Sequence, residues 1–475
     1  MSRRYHVRTY GCQMNLHDTE KVENLLHHAG WRPAPLEDAE LLLINTCSIR
    51  EKAEHRLASD LGALRVWRGA APGRVLGVGG CVAQQEGDAL LRRFPQLDFV
   101  FGTHNLRLVP ELAEAAAAGA RRAETGESRS QERFDLPERH PAFATATPGR
   151  AWLTVMEGCD LFCSFCIVPR TRGREISRPA AAIVDEARRL AEEGPIELTL
   201  LGQTVNAYGR HAERRGSGEA AGTVPFAELL ARLDAIPGVR RIRYTSPHPL
   251  FFDAALVRAH AELASLQPHV HLPLQSGSDR VLARMRRRYD GAGFLRLVER
   301  LREARPDVAL TSDLIVAFPG ETRADFEDTL RVVREAGFVD SYAFKYSPRP
   351  GTAAAELLDA VPAEEAQERL EELQALQRSL TVAYHRRRVG ERVEVLVEGP
   401  SRKADRDGEG AGRQLQGRDP YHRVVNFRAP DGLAAGRWVR LDLVEATPHS
   451  LIGELAGVQP RPPLADEMGQ PVGWA

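Results

Sequence analysis

No run of about 18 uncharged apolar residues occurs in the 475-residue chain, so no membrane-spanning helix is expected. The opening residues, Met1-Ser2-Arg3-Arg4-Tyr5, lack the apolar stretch of a signal peptide, and a cytoplasmic protein is expected. Charge of one sign is also missing. The 64 basic and 65 acidic residues leave a net charge of −1, so bulk electrostatics give no support to a polyanionic partner. Local basic patches do occur, at Arg240-Arg241-Ile242-Arg243, Arg284 to Arg288 and His385 to Arg388, and each is equally readable as a solvated face. Cysteine is scarce, with six residues in all. In a reducing compartment that number points to metal or catalysis rather than to disulfides. Disorder throughout is excluded, because 43% of the residues are hydrophobic and the length suits two to four globular domains.

What is present is concentrated in Glu157-Gly158-Cys159-Asp160-Leu161-Phe162-Cys163-Ser164-Phe165-Cys166. Three thiols in C-x3-C-x2-C spacing follow an apolar run, Ala151 to Met156, that reads as a strand, so they occupy the loop at its carboxyl end. Soft thiolates on a short loop suit an iron–sulfur cluster or zinc. A cubane cluster takes four cysteines, so three leave one iron open, and an open position marks a catalytic site. Zinc more often shows a C-x2-C pair with a distant second pair.

The first 118 residues alternate strand and helix. Strands are expected at Tyr5–Tyr10, Leu41–Ile44, Arg74–Val78 and Asp98–Phe101, with helices between them, which predicts an open parallel α/β sheet. Cys12, Cys47 and Cys81 each follow one of the first three strands, at the edge where open α/β sheets build their sites. Gly11 and Gly80 beside them allow turns that bring sulfurs together, so a shared three-thiolate site is expected. Residues 119–148 lose periodicity and read as a linker or wrapping arm, with Arg121-Arg122 on an exposed tether.

Alternation resumes over 149–385 with six βα units, too few for an eight-fold barrel but enough for a partial (β/α)6 one. Four polar stretches fall at its carboxyl edge: Gly202 to Asn206, Ser246 to Pro249, Pro273 to Ser278 and Phe318 to Glu321. Together they predict a lined pocket, although each alone is readable as turn chemistry. Residues 210–222 read as a surface insertion. Over 386–457, three strands of period 2 (Glu391–Glu398, Arg423–Phe427 and Trp438–Val444) and a last one at Leu451–Leu455 predict a small, OB-like β-barrel, followed by a frayed tail at 458–475.

These motifs meet a family. Thr9-Tyr10-Gly11-Cys12-Gln13-Met14-Asn15, Asn45-Thr46-Cys47-Ser48-Ile49-Arg50-Glu51-Lys52-Ala53, Gly80-Cys81-Val82-Ala83-Gln84-Gln85-Glu86 and the segment from Cys166 through Arg178 resemble those of the radical S-adenosylmethionine methylthiotransferases, over nearly the whole chain. The last module resembles a TRAM domain, an RNA-binding module. Leu161 and Ala317 depart from the family, where Asn and Gly are common, and Gly417 to Arg423 is looser than the usual pattern.

The resemblance implies two 4Fe–4S clusters, one on Cys159, Cys163 and Cys166 that binds S-adenosylmethionine, and an auxiliary one on Cys12, Cys47 and Cys81 that carries sulfur. Gln203 and Gln275 are implied as S-adenosylmethionine contacts. The cysteine motifs look most like the branch that uses two S-adenosylmethionine molecules to add methylthio to carbon 2 of N6-isopentenyladenosine at position 37, in the anticodon loop of tRNA. An electron donor such as flavodoxin or ferredoxin, no membrane and a monomer are the expected partners and state. Rival readings are a methylthiotransferase for threonylcarbamoyladenosine in tRNA or for a ribosomal protein, and, from other classes, a non-catalytic two-cluster electron carrier or a zinc-bound RNA-binding protein.

Overall fold

The computed structural model describes residues 3–48, 51–128, 130–139, 147–210, 222–401, 414–430, 432–458, 464–465 and 471–472. The chain forms two compact units, and the cysteine loop is divided between them. Met1–Ala144 with Glu157–Phe162 and Cys166–Ile176 make the first unit; Thr145–Met156, Cys163–Phe165 and Ser177–Ala475 make the second.

The first unit is built on a six-stranded sheet of β1 (Arg4–Tyr10), β2 (Arg32–Pro33), β3 (Leu41–Thr46), β4 (Val75–Gly80), β5 (Phe99–Phe101) and β6 (Arg122–Glu124), in the order β2-β1-β3-β4-β5-β6. Every pairing is parallel. Alternate residues of β3 serve opposite cores. Leu41 and Leu43 pack with Tyr5, Trp31 and Phe99, while Leu42 and Ile44 pack with Leu61, Val78 and Val100. Burial on both faces is why this strand reads as a continuous apolar run.

Strands β1, β3, β4 and β5 match expectation, whereas the edge strands β2 and β6 do not. β6 lies inside the segment expected to be a linker. Arg121, expected on an exposed tether, donates to the carbonyls of Leu97, Leu91 and Phe94, and Gln84 Nε2 donates to Thr125 O. Backbone pairing, with no apolar pattern, holds this segment.

In the second unit β7 (Arg150–Thr154), β10 (Ile196–Leu201) and β11 (Val239–Tyr244) form one parallel sheet. Two short strands, β8 (Met156–Glu157) and β9 (Ile176–Ser177), precede β10. β12 (His269–His271), β13 (Ala309–Val316) and β14 (Asp340–Lys345) form a second parallel sheet. A bridge between Ile242 and Leu266 joins the two, supported by Ile242 N–H to Ser265 O at 2.8 Å and Gln267 N–H to Ile242 O at 3.1 Å. Six parallel strands therefore follow one another in chain order, as expected for a partial barrel.

Helices Ala180–Glu192, Phe226–Asp234, Ala254–Glu262, Gly291–Ala304 and Arg323–Ala336 share a core with Leu198, Leu200, Ile242, Val270, Leu310 and Leu314. The alternate residues, among them Glu197, Arg241, Arg243, His271, Asp313, Tyr342 and Phe344, stand on the opposite, inner face by the period of 2.

Helix Ala363–Arg387 leads into a closed barrel of β15 (Arg392–Pro400), β16 (Gln414–Arg418), β17 (Val424–Arg428), β18 (Trp438–Ala446) and β19 (Leu451–Val458), ordered β15-β16-β17-β19-β18. β16 is the fifth strand, absent from the sequence reading. Its alternation stops at Gly417, where a Cβ would lie 2.2 Å from Leu396 O. The tail, expected to be frayed, pairs Leu464 with Val472. Apart from its ends, Arg210 and Gly222, the expected insertion falls on residues outside those described.

This barrel docks beneath the inner face. Arg241 donates to Glu394 O at 2.6 Å and Arg418 O at 3.1 Å, and Arg243 to Asp419 O at 2.8 Å and Pro420 O at 3.0 Å. Arg150 bridges Glu197 at 2.8 Å and Glu398 at 2.7 Å. Two members of the first basic patch are thus buried connectors, not a solvated face.

Candidate functional site

Cys12 immediately follows β1 and Gly11, Cys47 follows β3, and Cys81 follows β4 and Gly80. Because β1, β3 and β4 are neighbours in the sheet, the three thiols leave it side by side. Cys47 is in hydrogen-bonding reach of both Cys12 and Cys81.

The two glycines make this approach possible. A Cβ on Gly11 would lie 2.4 Å from Cys47 Cβ, and one on Gly80 would lie 2.3 Å from Thr46 O; Gly80 itself has φ +95°. Asn15 and Asn45 set the loops. Cys12 Sγ donates to Asn15 Oδ1 at 3.3 Å, Asn45 Nδ2 donates to Asn15 O at 2.8 Å, and Asn15 Nδ2 reaches Thr46 O at 3.3 Å.

Hydrogen bonding from Cys47 and the positive charge of Arg172 outweigh burial, lowering the Cys12 thiol to about 6 and Cys81 to about 7. Contact with both partners pushes Cys47 up, so it keeps the proton. The positive charge of Arg172 favours the thiolate at Cys12 and Cys81, the form that binds metal. Arg172 is buried and paired with Asp18 at 2.6 Å. Beside Cys47, the buried hydroxyls of Thr46 and Ser48 have no hydrogen-bond partner. Buried polar groups are normally satisfied, so this space suits a group that brings acceptors, as sulfide does. Among the described residues no set of three or more His, Cys, Asp or Glu closes on a single metal ion. The donor chemistry fits a thiolate-held cluster: soft ligands on three short loops.

The second cysteine group lies on the loop that follows β7 and the short β8. Cys159 N–H donates to Gly173 O at 3.1 Å, and Gly158 at φ +81° would place a Cβ 2.1 Å from Arg174 O. Glu157, just before, pairs with Arg133 and with Lys21 at 3.4 Å. Burial alone would raise its carboxyl, but Arg133, Lys21 and Arg172 outweigh it and hold the group ionised. Cys163-Ser164-Phe165 is held within the second unit. Ser164 N–H donates to Met285 O at 3.0 Å, Ser164 Oγ to Arg284 O at 2.7 Å, and Ala354 N–H to Ser164 O at 2.8 Å.

The four polar stretches lie after β10, β11, β12 and β13. Asn206 and His248 exchange backbone and side-chain hydrogen bonds at 2.8 and 3.0 Å, and Glu321 accepts from Ala317 N–H at 2.9 Å and Arg369 at 2.7 Å. Three non-glycine residues there adopt left-handed backbone: Ser246 (φ +56°), Gln275 (φ +71°) and Ala317 (φ +58°). Such strain concentrates at functional sites. Gln275 continues β12, accepting from Ile315 N–H at 2.9 Å and donating to Asp313 O at 2.9 Å; Gln203 follows β10. β11 stands between these two strands.

Sequence reasoning missed Arg172, Asp18, Arg133 and Arg287 as partners of the cysteine segments. Arg172 lies within a quoted motif, but nothing in its spacing shows what it meets.

These parts define a class: a radical S-adenosylmethionine protein with an extra α/β sheet before it and an RNA-type barrel after it. Family models match in the same places. Radical SAM superfamily covers residues 153–333, TRAM domain 386–456, and Uncharacterized protein family UPF0004 4–102.

The particular family follows from full-length relatives. The chain is 46% identical over 451 residues, 95% of its own length and 97% of the other's, to the tRNA-2-methylthio-N(6)-dimethylallyladenosine synthase of Geobacter sulfurreducens. It is 43% identical over 457 residues, 96% and 99% of the two lengths, to the synthase of that name from Nitratidesulfovibrio vulgaris. The chain belongs to the family of these synthases. Among solved structures, the radical S-adenosylmethionine methyltransferase TsrM from Kitasatospora setae superposes with a TM-score of 0.51 at 16% identity, over 75% of this chain and 77% of that one, which shows a shared fold. No helix among the described residues is long and apolar enough to cross a membrane.

Proposed function

We infer that this protein is a methylthiotransferase that places a methylthio group on carbon 2 of N6-isopentenyladenosine at position 37 of tRNA. One structural observation carries the reading: three thiols from adjacent strands meet at Cys47, apart in sequence from the C-x3-C-x2-C loop. An electron carrier needs no half-barrel with a strained carboxyl edge. Identity of 46% and 43% along nearly the whole length of the named synthases supports the same substrate.

Cys12, Cys47 and Cys81 would hold an auxiliary 4Fe–4S cluster, and Cys159, Cys163 and Cys166 the one that takes S-adenosylmethionine. Bound there, these groups supply radical chemistry for a C–H bond that acid–base catalysis cannot open, together with a soft site for sulfur. The chain's own groups do the rest. Arg172 balances the negative charge of the thiolates at Cys12 and Cys81. Gln203 and Gln275, at the carboxyl ends of β10 and β12, would contact S-adenosylmethionine. Tyr342 and Phe344 stay exposed on the inner face of β14 and offer a flat apolar surface to a base turned out of the anticodon-loop stack. A low-potential donor of the flavodoxin or ferredoxin class supplies electrons. The domain limits that go with this reading are 1–118, 149–385 and 386–457.

The test is nucleoside mass spectrometry on isopentenylated tRNA after incubation with anaerobically reconstituted protein, S-adenosylmethionine and reductant. A methylthio group on isopentenyladenosine is the expected product. An unchanged nucleoside with accumulating 5′-deoxyadenosine would move the substrate to threonylcarbamoyladenosine tRNA or a ribosomal protein. Neither product from a fully loaded, reducible protein would leave the electron-carrier reading.

A further inference from the structure

The basic run Arg284-Met285-Arg286-Arg287-Arg288 is readable from sequence either as a patch for a polyanionic partner or equally as a solvated face. Arg287 is inside instead, 6% exposed. Its guanidinium is pinned on three sides. Nε donates to Tyr289 Oη at 3.0 Å, Nη2 to Pro273 O at 3.2 Å, and Nη1 to Cys163 Sγ at 3.5 Å. Tyr289 is fixed in turn: its hydroxyl donates to Leu274 O at 2.8 Å, and its ring meets His248 edge-on at 5.5 Å.

The backbone is shaped to aim this one side chain. Arg286 and Arg288, on either side, both have φ +59°, a conformation that disfavours branched and long L-residues, and Arg287 N–H closes the turn on Leu282 O at 3.0 Å. The same turn receives Ser164 through Met285 O and Arg284 O. A merely structural clamp on the loop is already complete in those two bonds. The guanidinium adds something they do not: a full positive charge on the sulfur of one particular cysteine.

We propose that Arg287 is a positioning residue that tunes the reduction of the cluster bound through Cys163, by donating a charge-assisted hydrogen bond to that ligand's sulfur. The proposal rests on the assignment of Cys159, Cys163 and Cys166 as cluster ligands. A reduced cluster carries one more negative charge than an oxidised one. A buried cation donating to a ligand sulfur therefore favours the reduced state and raises the midpoint potential, more strongly in a dry interior than in water. Such a contact makes one-electron delivery from a weak biological donor easier, and it acts through the Cys163 sulfur.

The experiment is an EPR-monitored dithionite titration of the full chain, reconstituted anaerobically, in native form and as Arg287→Gln and Arg287→Lys. The signal that changes on adding S-adenosylmethionine identifies the cluster concerned. Arg287→Gln should retain iron and the S-adenosylmethionine response but titrate at a more negative potential, whereas Arg287→Lys, which keeps the charge, should fall between it and the native protein. Unchanged midpoints in both variants, with iron retained, would overturn the proposal. Loss of iron with an unshifted midpoint for the remaining cluster would also overturn it, leaving a structural clamp. Absence of any S-adenosylmethionine-sensitive signal in the native protein would instead refute the ligand assignment itself.

Discussion

Individual positions with positive φ give the clearest residue-scale expectations. A Cβ at Gly80 would strike backbone, Thr46 O at 2.3 Å, with Asn45 Oδ1 2.4 Å away, so a substitution there must displace the turn that presents Cys81. Gly80→Ala should cost about 2–3 kcal/mol and leave the reconstituted protein with iron for one cluster rather than two. Gly62→Ala, at an exposed helix position with nothing within 4 Å, is the matching control and should keep the full complement. Equal iron in both variants would separate Gly80 from the thiol site. Ala317 is the opposite case, an L-residue at φ +58°. The left-handed region costs Ala roughly 1–2 kcal/mol, against about 0.5–1 kcal/mol of extra chain entropy for Gly. Ala317→Gly should therefore raise the thermal midpoint by roughly 2 °C, which calorimetry would register.

At the scale of elements, the floor of the half-barrel rests on one carboxylate. Glu197 is fully buried and faces Arg150 at 2.8 Å, Arg243 at 3.2 Å and Arg241 at 3.5 Å. Burial opposes its charge, but the three guanidinium groups hold its pKa at about 2. Those same arginines hold the C-terminal barrel. Glu197→Gln would leave them uncompensated in the interior and should cost about 3–5 kcal/mol in denaturant midpoints. It should also expose the stretch before Arg392 to limited proteolysis, while Glu398→Gln, which leaves Glu197 to balance Arg150, should do less. Equal behaviour of the two variants would mean that the network is not organised on Glu197.

The whole molecule carries a pH dependence set by histidines buried without charge. Burial lowers His248 to about 2 and His260 to about 3, and takes His269 and His422, stacked with ring centres 5.3 Å apart, well below the ordinary value. In the unfolded chain each takes a proton near pH 6.5. Their contribution is therefore complete above that pH and declines below it, each by up to about 1.4 kcal/mol per pH unit. Glu23, raised to about 7 by burial, and Glu321, also raised by burial, run the other way, but His104 and His385, lowered by burial, add to the histidine side. Urea midpoints should fall clearly between pH 7 and pH 5; a flat profile would contradict neutral burial of these rings. On the catalytic side, Cys12→Ala should still form 5′-deoxyadenosine yet yield no methylthiolated nucleoside, because only the auxiliary thiol set is damaged. Loss of both products, with the other cluster intact, would contradict two separate sites.

Local order was legible wherever period and spacing carry it. The apolar runs of β3 and β4, with Cys47 and Cys81 directly after them and Cys12 after β1, define a parallel sheet with thiols at its carboxyl end, because strands buried on both faces can be little else. The six βα units and the C-x3-C-x2-C loop are equally local signals. Tertiary structure decided what such patterns cannot encode. β6 and β16 exist because of backbone hydrogen bonds that no side-chain alternation announces. Arg172, Arg241, Arg243 and Arg287 look like any solvated arginine in the chain, since a guanidinium's partners lie far away in sequence: Arg241 meets Glu394 and Arg287 meets Cys163. Whether a charge is solvated, paired or aimed at a sulfur depends on what the folded chain brings to it, and that is set by long-range packing rather than by neighbours in sequence.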